Sequence, residues 1–247
     1  MSIKIAFIGA GSIGFTRGLL ADILSVPALR DAQIAFTDIN QHNLDMVTQL
    51  CQQDICFNNI NLHICSTTDR RAAFKDADYI ISCIRVGMLD AFTSDVEIPL
   101  KYGVDQCVGD TLCVGGIMYA QRDIAVYDGI CKDIREVAKR NCLLLNYANP
   151  NAIVTWYCNK YGGVNTVGLC HGVQGGHELI ARVLGYQKKD IEIVCAGINH
   201  MTWYLSVKHN GEELNGKLLA ALVNDVEVAQ TEKVRIDMMK RFGYFST

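Results

Sequence analysis

"IAFIGAGSIGFTRGLL", residues 5–20, takes an apolar strand directly into a glycine-rich turn and then into a helix. Gly9 allows the tight turn, Gly11 lets a backbone approach a pyrophosphate, and Gly14 lets the helix and strand pack closely. The helix N-terminus behind Ser12 then faces the phosphate charge. We therefore expect Gly9, Gly11, Ser12 and Gly14 to bind a dinucleotide.

A carboxylate at the end of the second strand supports this expectation. Asp38 follows the apolar run "QIAFT", 27 residues after Gly11, where it can accept hydrogen bonds from both ribose hydroxyls. The alternative is that Asp38 caps the helix that follows. Residues 39–41 contain no arginine that could pair with a 2′-phosphate. NAD is therefore favoured over NADP.

Short apolar runs alternate with longer helical patterns along the first two thirds of the chain. The runs occupy residues 3–8, 33–37, 61–65, 78–84, 142–147 and 165–170. This alternation is typical of a mostly parallel sheet wrapped by helices, and we predict an α/β, Rossmann-type doubly wound fold like that of lactate and malate dehydrogenases. The glycine-rich segment 103–116 is interpreted as a loop between helices, and such loops often line sites.

After residue 186 the pattern changes to strands, at 191–198 and 202–209, with a hairpin turn at Asn210-Gly211. We predict an NAD-binding domain over 1–186 and the start of a second, α+β domain over 187–247. A charged amphipathic helix is predicted at 226–242, almost at the end of the chain. No capping domain follows this helix, so we expect the second domain to be truncated.

Composition excludes several classes of partner. The 247 residues carry a formal charge of −3 without a basic patch. We therefore expect a small molecule as the partner, and neither nucleic acid nor a membrane. The N-terminus shows no signal sequence, which favours the cytoplasm. The 11 cysteines never occur as CxxC, so most are expected to be buried hydrophobic residues in a reducing compartment.

"VGLCHGVQGG", residues 167–176, places Cys170 and His171 at the end of an apolar run, and "AGINHMTWYL" places His200 at the end of another. A thiolate and an imidazole are good ligands for a divalent transition metal. The alternative is a buried cysteine and a hydrogen-bonded core histidine. Spacing by itself does not decide between the two.

Six segments together resemble glycoside hydrolase family 4, the NAD- and manganese-dependent glycosidases. These segments are "FIGAGS" (7–12), "TDIN" (37–40), "DTLCVGGI" (110–117), "LLNYANP" (144–150), "VGLCHGVQG" (167–175) and "CAGINHM" (195–201). The last two look most like the α-galactosidases. "VGDT" (108–111) is similar to the α-galacturonidases and "IRVG" (84–87) to members that act on 6-phosphoglycosides, so α-galacturonidase, α-glucosidase and 6-phospho-glycosidase activities remain alternatives. Family members commonly carry glycine and proline in place of Cys113 and Val114.

The resemblance implies hydrolysis of an O-glycosidic bond by an unusual route. In that route NAD takes a hydride from C3 of the sugar, a base removes the acidified C2 proton, the glycosidic bond breaks by elimination, water adds at C1, and the hydride returns. A divalent metal, Mn²⁺ in this family, acts as a Lewis acid on the sugar oxygens. The resemblance implies Cys170 and His200 as its protein ligands.

The resemblance also implies roles for four further residues, each with a structural alternative. His171 would protonate the leaving group or contact substrate, or else make a structural hydrogen bond. Asn149 would contact a substrate hydroxyl, or form a turn at a strand end. Tyr244 would be the C2 base, or an aromatic core contact. Arg85 would bind cofactor or substrate, or form a surface ion pair.

Two competing functions share the predicted architecture. An NAD-dependent hydroxy-acid dehydrogenase would need no metal and would accumulate NADH. A non-catalytic NAD-binding regulator would bind cofactor without cleaving glycosides. For the glycosidase, we expect a glycoside substrate and a homodimer or homotetramer.

Overall fold

The computed structural model describes residues 2–247. They form two compact units, the first of which ends at Leu169, while the second comprises Cys170–Thr247. The domain boundary placed at residue 186 from the sequence stays a prediction. Among the described residues no helix is both long enough and apolar enough to cross a lipid bilayer.

The first unit is built on a six-stranded sheet in the order β3-β2-β1-β4-β5-β6, and every strand pair in it is parallel. The strands are β1 (Lys4–Ile8), β2 (Gln33–Thr37), β3 (Ile64–Thr67), β4 (Tyr79–Ser82), β5 (Leu143–Asn146) and β6 (Thr166–Gly168). The strand order reverses between β1 and β4, which is where ligands bind in open α/β sheets. The predicted Rossmann-type fold is confirmed.

Helices cover both faces of this sheet. They are α1 (Ile13–Ser25), α2 (Gln41–Phe57), α3 (Arg70–Phe74), α4 (Met88–Leu100), α5 (Cys113–Val137) and α6 (Asn151–Lys160), with a short 3₁₀ turn at Pro27–Leu29. Successive side chains of a strand point to opposite faces. Ile5 and Phe7 therefore pack in one core cluster, with α1 and α2, whereas Ala6 and Ile8 pack in the other, with α5 and α6.

Several boundaries in this unit differ from the sequence prediction, two of them by at least about three residues. The strand predicted from residue 61 begins only at Ile64. The predicted loop 103–116 ends earlier, because α5 already begins at Cys113. A Cβ on Gly116 would lie 2.9 Å from the carbonyl carbon of Thr111, so this glycine permits close packing of the helix start and does not mark a flexible loop.

The second unit combines a small antiparallel sheet with helices, which confirms the predicted second α+β domain. Its elements are α7 (Gly172–Leu184), β7 (Ile191–Ile198), β8 (Met201–His209), β9 (Glu212–Glu213), α8 (Asn215–Asn224), α9 (Val226–Thr231), α10 (Lys233–Phe242) and β10 (Phe245–Ser246), with a 3₁₀ turn at Lys188–Asp190. Strand β8 pairs with β7, β9 and β10. Asn210 and Gly211, with φ of 49° and 83°, form the predicted turn, which joins β8 to β9.

The prediction of a single helix over 226–242 is wrong. The chain breaks at Glu232, whose φ and ψ are −105° and 29°, so that α9 and α10 are separate helices. Val228 and Met239 are buried in the same core cluster on either side of the break. A continuous amphipathic pattern therefore arose from two short helices that pack on one core.

Candidate functional site

In the turn after β1, the first glycine of the motif, Gly9, has the tight-turn conformation that the motif predicts. Gly9 has φ of +84°, and a Cβ there would lie 2.8 Å from the carbonyl carbon of Cys83, just beyond β4. The amides of Gly9 and Ala10 donate to the Thr37 carbonyl at 3.0 and 3.1 Å. Glycine is required at this position for both conformation and space, and the turn lies where the strand order reverses.

Asp38 is anchored beside this turn at the end of β2. Its Oδ2 accepts from the Gly11 amide at 2.8 Å and its Oδ1 from the Asn40 amide at 2.9 Å. The alternative role as cap of α2 is wrong, because the side chain of Asn40 caps that helix by accepting from the Asn43 amide. A carboxylate has about four acceptor positions, so Asp38 keeps lone pairs for two ribose hydroxyls.

The start of α1 presents backbone donors. Ser12 occupies the N-cap position without a side-chain cap, so amides of the first turn stay available to an anion. The packing role predicted for Gly14 is wrong, because a Cβ there would meet no atom within 4 Å. Thr16 faces the core instead, and its hydroxyl donates to the Ala10 carbonyl at 3.1 Å.

Arg85, Asp110 and Asn149 lie close together in the first unit, although 25 and 39 residues separate neighbouring members in the chain. The side-chain amide Nδ2 of Asn149 donates to Asp110 Oδ2 at 3.3 Å, and Arg85 Nη1 lies 3.7 Å from the same oxygen. The Arg85 guanidinium stacks on the rings of Phe92 and Tyr119, at 4.6 and 5.1 Å from their centroids. Arg85 thus forms an ion pair, as the structural alternative has it, but with a mostly buried carboxylate and against two rings. Its role in binding cofactor or substrate stays a prediction.

Asp110 was missed by the sequence reasoning as a site residue. Its signal was its position in the glycine-rich segment 103–116, which was expected to line a site. The side chain is mostly buried, and its Oδ1 accepts from the Thr111 hydroxyl at 3.0 Å. Asp110 thus combines a negative charge with two polar partners from other elements.

A buried hydrogen-bond network supports the segment that carries Asn149. Tyr127 shares a 2.7 Å hydrogen bond with Ser82 at the end of β4 and donates to Asn146 Oδ1 at 3.0 Å at the end of β5. Asn146 in turn donates to the Ala148 carbonyl at 3.1 Å. Burial raises the pKa of Tyr127, so its hydroxyl stays a neutral hydrogen-bonding group that fixes the turn after β5.

Asp123 on α5 is fully buried, and neither of its carboxylate oxygens has a hydrogen-bond partner among residues 2–247. Burial raises its pKa to about 7, against the opposing charge of Arg122. The backbone amide of Val86 acts in the opposite direction and lowers the pKa of Asp123, although it does not reach hydrogen-bonding geometry. Nothing in the sequence pattern singled out this residue.

Both predicted metal ligands belong to the second unit. Cys170 is half-buried, and its Sγ accepts from the Gly172 amide at 3.4 Å. His200 is exposed at the two-residue turn between β7 and β8, with φ of 62°. Among the described residues, no three or more His, Cys, Asp or Glu side chains form a group that could hold a metal, and the predicted site has only two protein ligands.

Thr247 joins the segments that carry these two ligands. A Cβ on Gly172 would lie 3.5 Å from Thr247 Cβ and 3.6 Å from Cys170 Sγ. Thr247 also donates its amide to the Thr202 carbonyl at 2.8 Å and accepts from the Thr202 amide at 3.0 Å. Thr202 follows His200 by two residues, so the start of α7 and the β7–β8 turn are neighbours within this unit.

His171 and Tyr244 both have accessible side chains. His171 is exposed at the N-cap position of α7 and makes no side-chain cap there. Tyr244 is 43% exposed just before β10, whereas its neighbour Phe245 is fully buried. The alternative of an aromatic core contact is therefore wrong for Tyr244. The catalytic roles of both residues stay predictions.

Comparison with known proteins decides the family. The sequence model of the family 4 glycosyl hydrolases matches residues 4–186, and the model of their C-terminal domain matches residues 195–247. The chain belongs to family 4 of the glycosyl hydrolases.

Among curated relatives, the chain is 53% identical over 247 residues to an α-galactosidase of Rhizobium meliloti (strain 1021) and 36% identical over 245 residues to an α-galactosidase of Bacillus subtilis (strain 168). These matches cover 100% and 99% of this chain but 50% and 56% of the relatives. The chain therefore spans about half the length of the curated relatives it matches. The predicted likeness to the α-galactosidase subgroup is supported.

Solved structures confirm the fold. A 6-phospho-α-glucosidase from gut microorganisms, in complex with NAD and Mn²⁺, superposes with a TM-score of 0.85 at 22% identity, over 100% of this chain and 59% of that one. A malate dehydrogenase from Salinibacter ruber superposes with a TM-score of 0.61 at 14% identity, over 98% and 70%. The predicted likeness to malate dehydrogenase in architecture is confirmed.

Proposed function

We propose that this family 4 chain acts as an α-galactosidase, which hydrolyses the O-glycosidic bond of α-galactosides with NAD and a divalent metal, preferably Mn²⁺. Both α-galactosidase relatives match nearly the whole chain, one of them at 53% identity. The observation that carries the proposal is the cradle formed by Gly9, Gly11 and Asp38 in a chain of this family. A hydrolase needs such a cradle only if its chemistry uses a dinucleotide.

The residues of the first unit fit NAD. Gly9 leaves no side chain at the turn, the uncapped start of α1 offers amide donors to a pyrophosphate, and Asp38 keeps acceptor positions for ribose hydroxyls. A 2′-phosphate would meet the Asp38 carboxylate, and residues 39–41 supply no cation. This charge arrangement supports NAD over NADP.

The donor set of the second unit fits a divalent transition metal. Cys170 supplies a sulfur that is half-exposed, and His200 supplies an exposed imidazole. Thiolate and imidazole suit Mn²⁺ less well than carboxylates do, but two protein ligands leave coordination positions for substrate hydroxyls and water. We propose Cys170 and His200 as the ligands.

When bound, NAD supplies a reversible hydride acceptor for C3 of the sugar and the metal supplies a Lewis acid for its hydroxyl oxygens. The side-chain amide of Asn149, which Asp110 orients, binds a substrate hydroxyl. Tyr244, exposed before β10, is the candidate to remove the C2 proton, and His171 is the candidate to protonate the leaving oxygen.

The compartment and partners follow from the same chain. All 11 cysteines are free, which supports a reducing compartment such as the cytoplasm. The substrate is a small glycoside, and assembly as a homodimer or homotetramer stays a prediction.

Hydrolysis in heavy water tests this function. The chain is incubated with nitrophenyl α-galactoside, NAD, Mn²⁺ and a reductant, and the released galactose is analysed by NMR. Removal of the C2 proton predicts solvent deuterium at C2 and a kinetic isotope effect with C2-deuterated substrate. Hydrolysis without either would contradict the proposed route, since two-carboxylate glycosidases do not break that bond. Accumulation of NADH without cleavage would instead indicate a dehydrogenase.

A further inference from the structure

We propose that Arg122 is a positioning residue for the NAD site, because it neutralises a buried carboxylate that would otherwise draw Arg85 away from Asp110. The proposal rests on the proposed function and on the expectation from the sequence that Arg85, which follows β4, binds the cofactor.

The first observation is the pairing of Arg122 with Asp95. Arg122 on α5 donates from Nη1 and Nη2 to the two oxygens of Asp95 on α4, at 2.9 and 2.7 Å. The Asp95 side chain is only 1% exposed, whereas that of Arg122 is 31% exposed. A carboxylate this deeply buried needs a paired cation, since an unpaired buried charge is costly.

The second observation is that Arg122 also holds the turn that carries Arg85. Its Nε donates to the Val86 carbonyl at 3.3 Å, one residue beyond Arg85. The next residue, Gly87, has φ of +81°, and a Cβ there would lie 3.3 Å from Arg122 Nε and would also collide with the Ala91 side chain. The turn from β4 to α4 is thus packed directly on the Arg122 side chain.

The third observation concerns Tyr119, whose ring faces both arginines. Arg85 and Arg122 lie 5.1 and 5.3 Å from its centroid. The second ring under Arg85, Phe92, belongs to α4, whereas Tyr119 belongs to α5. The Asp95–Arg122 pair joins the same two helices, so it sets the spacing of the two rings that hold Arg85.

Charge balance explains why Arg122 acts on Arg85 in particular. Asp95 and Asp123 are both buried, and Arg122 and Arg85 are the cations whose charges act on Asp123. If Arg122 is removed, Arg85 is the remaining arginine against the Tyr119 ring, and the unpaired Asp95 would attract it. Its guanidinium would then shift inward and leave the position 3.7 Å from Asp110.

A rescue experiment on the 247-residue chain separates positioning from general stability. NAD affinity is measured by calorimetry. Arg85→Met sets the scale, with an expected loss of about tenfold, and Arg122→Met should weaken binding by a similar factor. The double variant Arg122→Met/Asp95→Asn removes the buried charge as well, so Arg85 is no longer drawn inward. Its affinity should return to within about threefold of wild type.

A control removes one of the two arginines that bind Asp133, elsewhere on α5. Arg70 Nε lies 2.6 Å from Asp133, with side chains 37% and 11% exposed. Arg70→Met should lower the melting temperature but leave NAD affinity within about twofold of wild type. Arg122→Lys keeps a cation beside Asp95 and guards against misfolding of the methionine variant, and it should lose no more than about threefold in affinity.

Several results would overturn the proposal. One is that the Arg122→Met variant binds NAD within about twofold of wild type, and another is that the double variant binds as weakly as Arg122→Met. The proposal also fails if Arg122→Lys loses as much NAD affinity as Arg85→Met, or if Arg85→Met loses none. Failure of the wild type to bind NAD would refute the proposed function separately. Hydrogen exchange of residues 84–92, measured without ligand, then decides the positioning role. Exchange should rise in Arg122→Met and recover in the double variant, and unchanged exchange would refute it.

Discussion

Replacing Asp123 with asparagine isolates the effect of one buried carboxyl on the pH dependence of folding. Burial raises its pKa from 3.8 to about 7, against the opposing charge of Arg122. Between these pH values the folded chain holds a proton on Asp123 that the unfolded chain releases. The stabilisation is therefore fully present below the unfolded pKa and is lost as the pH rises towards the folded pKa.

The magnitude follows from proton linkage. Each pH unit over which the two states differ by one proton changes the free energy of unfolding by about 1.4 kcal/mol. From about pH 5 to pH 8 the contribution of Asp123 should fall by about 2.5 kcal/mol, most of it below pH 7. The Asp123→Asn variant has a side chain of the same size without an ionisable group. Its stability relative to wild type should therefore rise by that amount over the same range.

Urea unfolding followed by circular dichroism, at several pH values between about 5 and 8, measures this difference. Asp133→Asn, on the same helix, provides a control, because the pKa of Asp133 is shifted in the opposite direction to that of Asp123. Burial opposes ionisation of Asp133, but hydrogen bonds from Arg70 and Arg71 lower its pKa, so its stabilising contribution stays constant over this range and is lost only in acid. Parallel stability curves for wild type and Asp123→Asn would refute the reasoning.

The remaining predictions concern the metal, the cofactor and the glycine turn. Cys170→Ser and His200→Ala should each abolish Mn²⁺ binding and glycoside cleavage, while calorimetry shows NAD affinity within about threefold of wild type; full activity in either variant would contradict the metal assignment. NAD should bind better than NADP by at least about 1.4 kcal/mol, a factor of about ten, and Asp38→Ala should shrink this gap; equal wild-type affinities would remove the role of Asp38. Gly9→Ala should lower both NAD affinity and the melting temperature, since the new Cβ meets Cys83. Gly14→Ala, in the first turn of α1 and in open space, should raise the free energy of unfolding by about 0.5 kcal/mol. Equal destabilisation by both substitutions would refute this account of the turn.

Local patterns in the sequence were sufficient to predict the first unit's architecture. The glycine turn and the alternating strands and helices depend on backbone conformations that a few neighbouring residues determine, and the same holds for the Asn210-Gly211 hairpin of the second unit. Resemblance in six motifs was also sufficient for the family, since motif residues keep their order in the chain. Boundaries were less predictable, because the break at Glu232 preserves an amphipathic pattern across two helices.

Only the tertiary structure decided which side chains become neighbours. Asn149 meets Asp110 across 39 residues, and Arg122 meets Asp95 across 27, because these contacts depend on how helices and turns pack around the carboxyl ends of β4 and β5. The structure also decided that Asn40, and not Asp38, caps α2. Most important, it buried Asp123 on a helix whose sequence carries charges throughout. A charged residue on a helix is usually solvated, so its burial depends on the other elements that surround it and not on its own sequence neighbours.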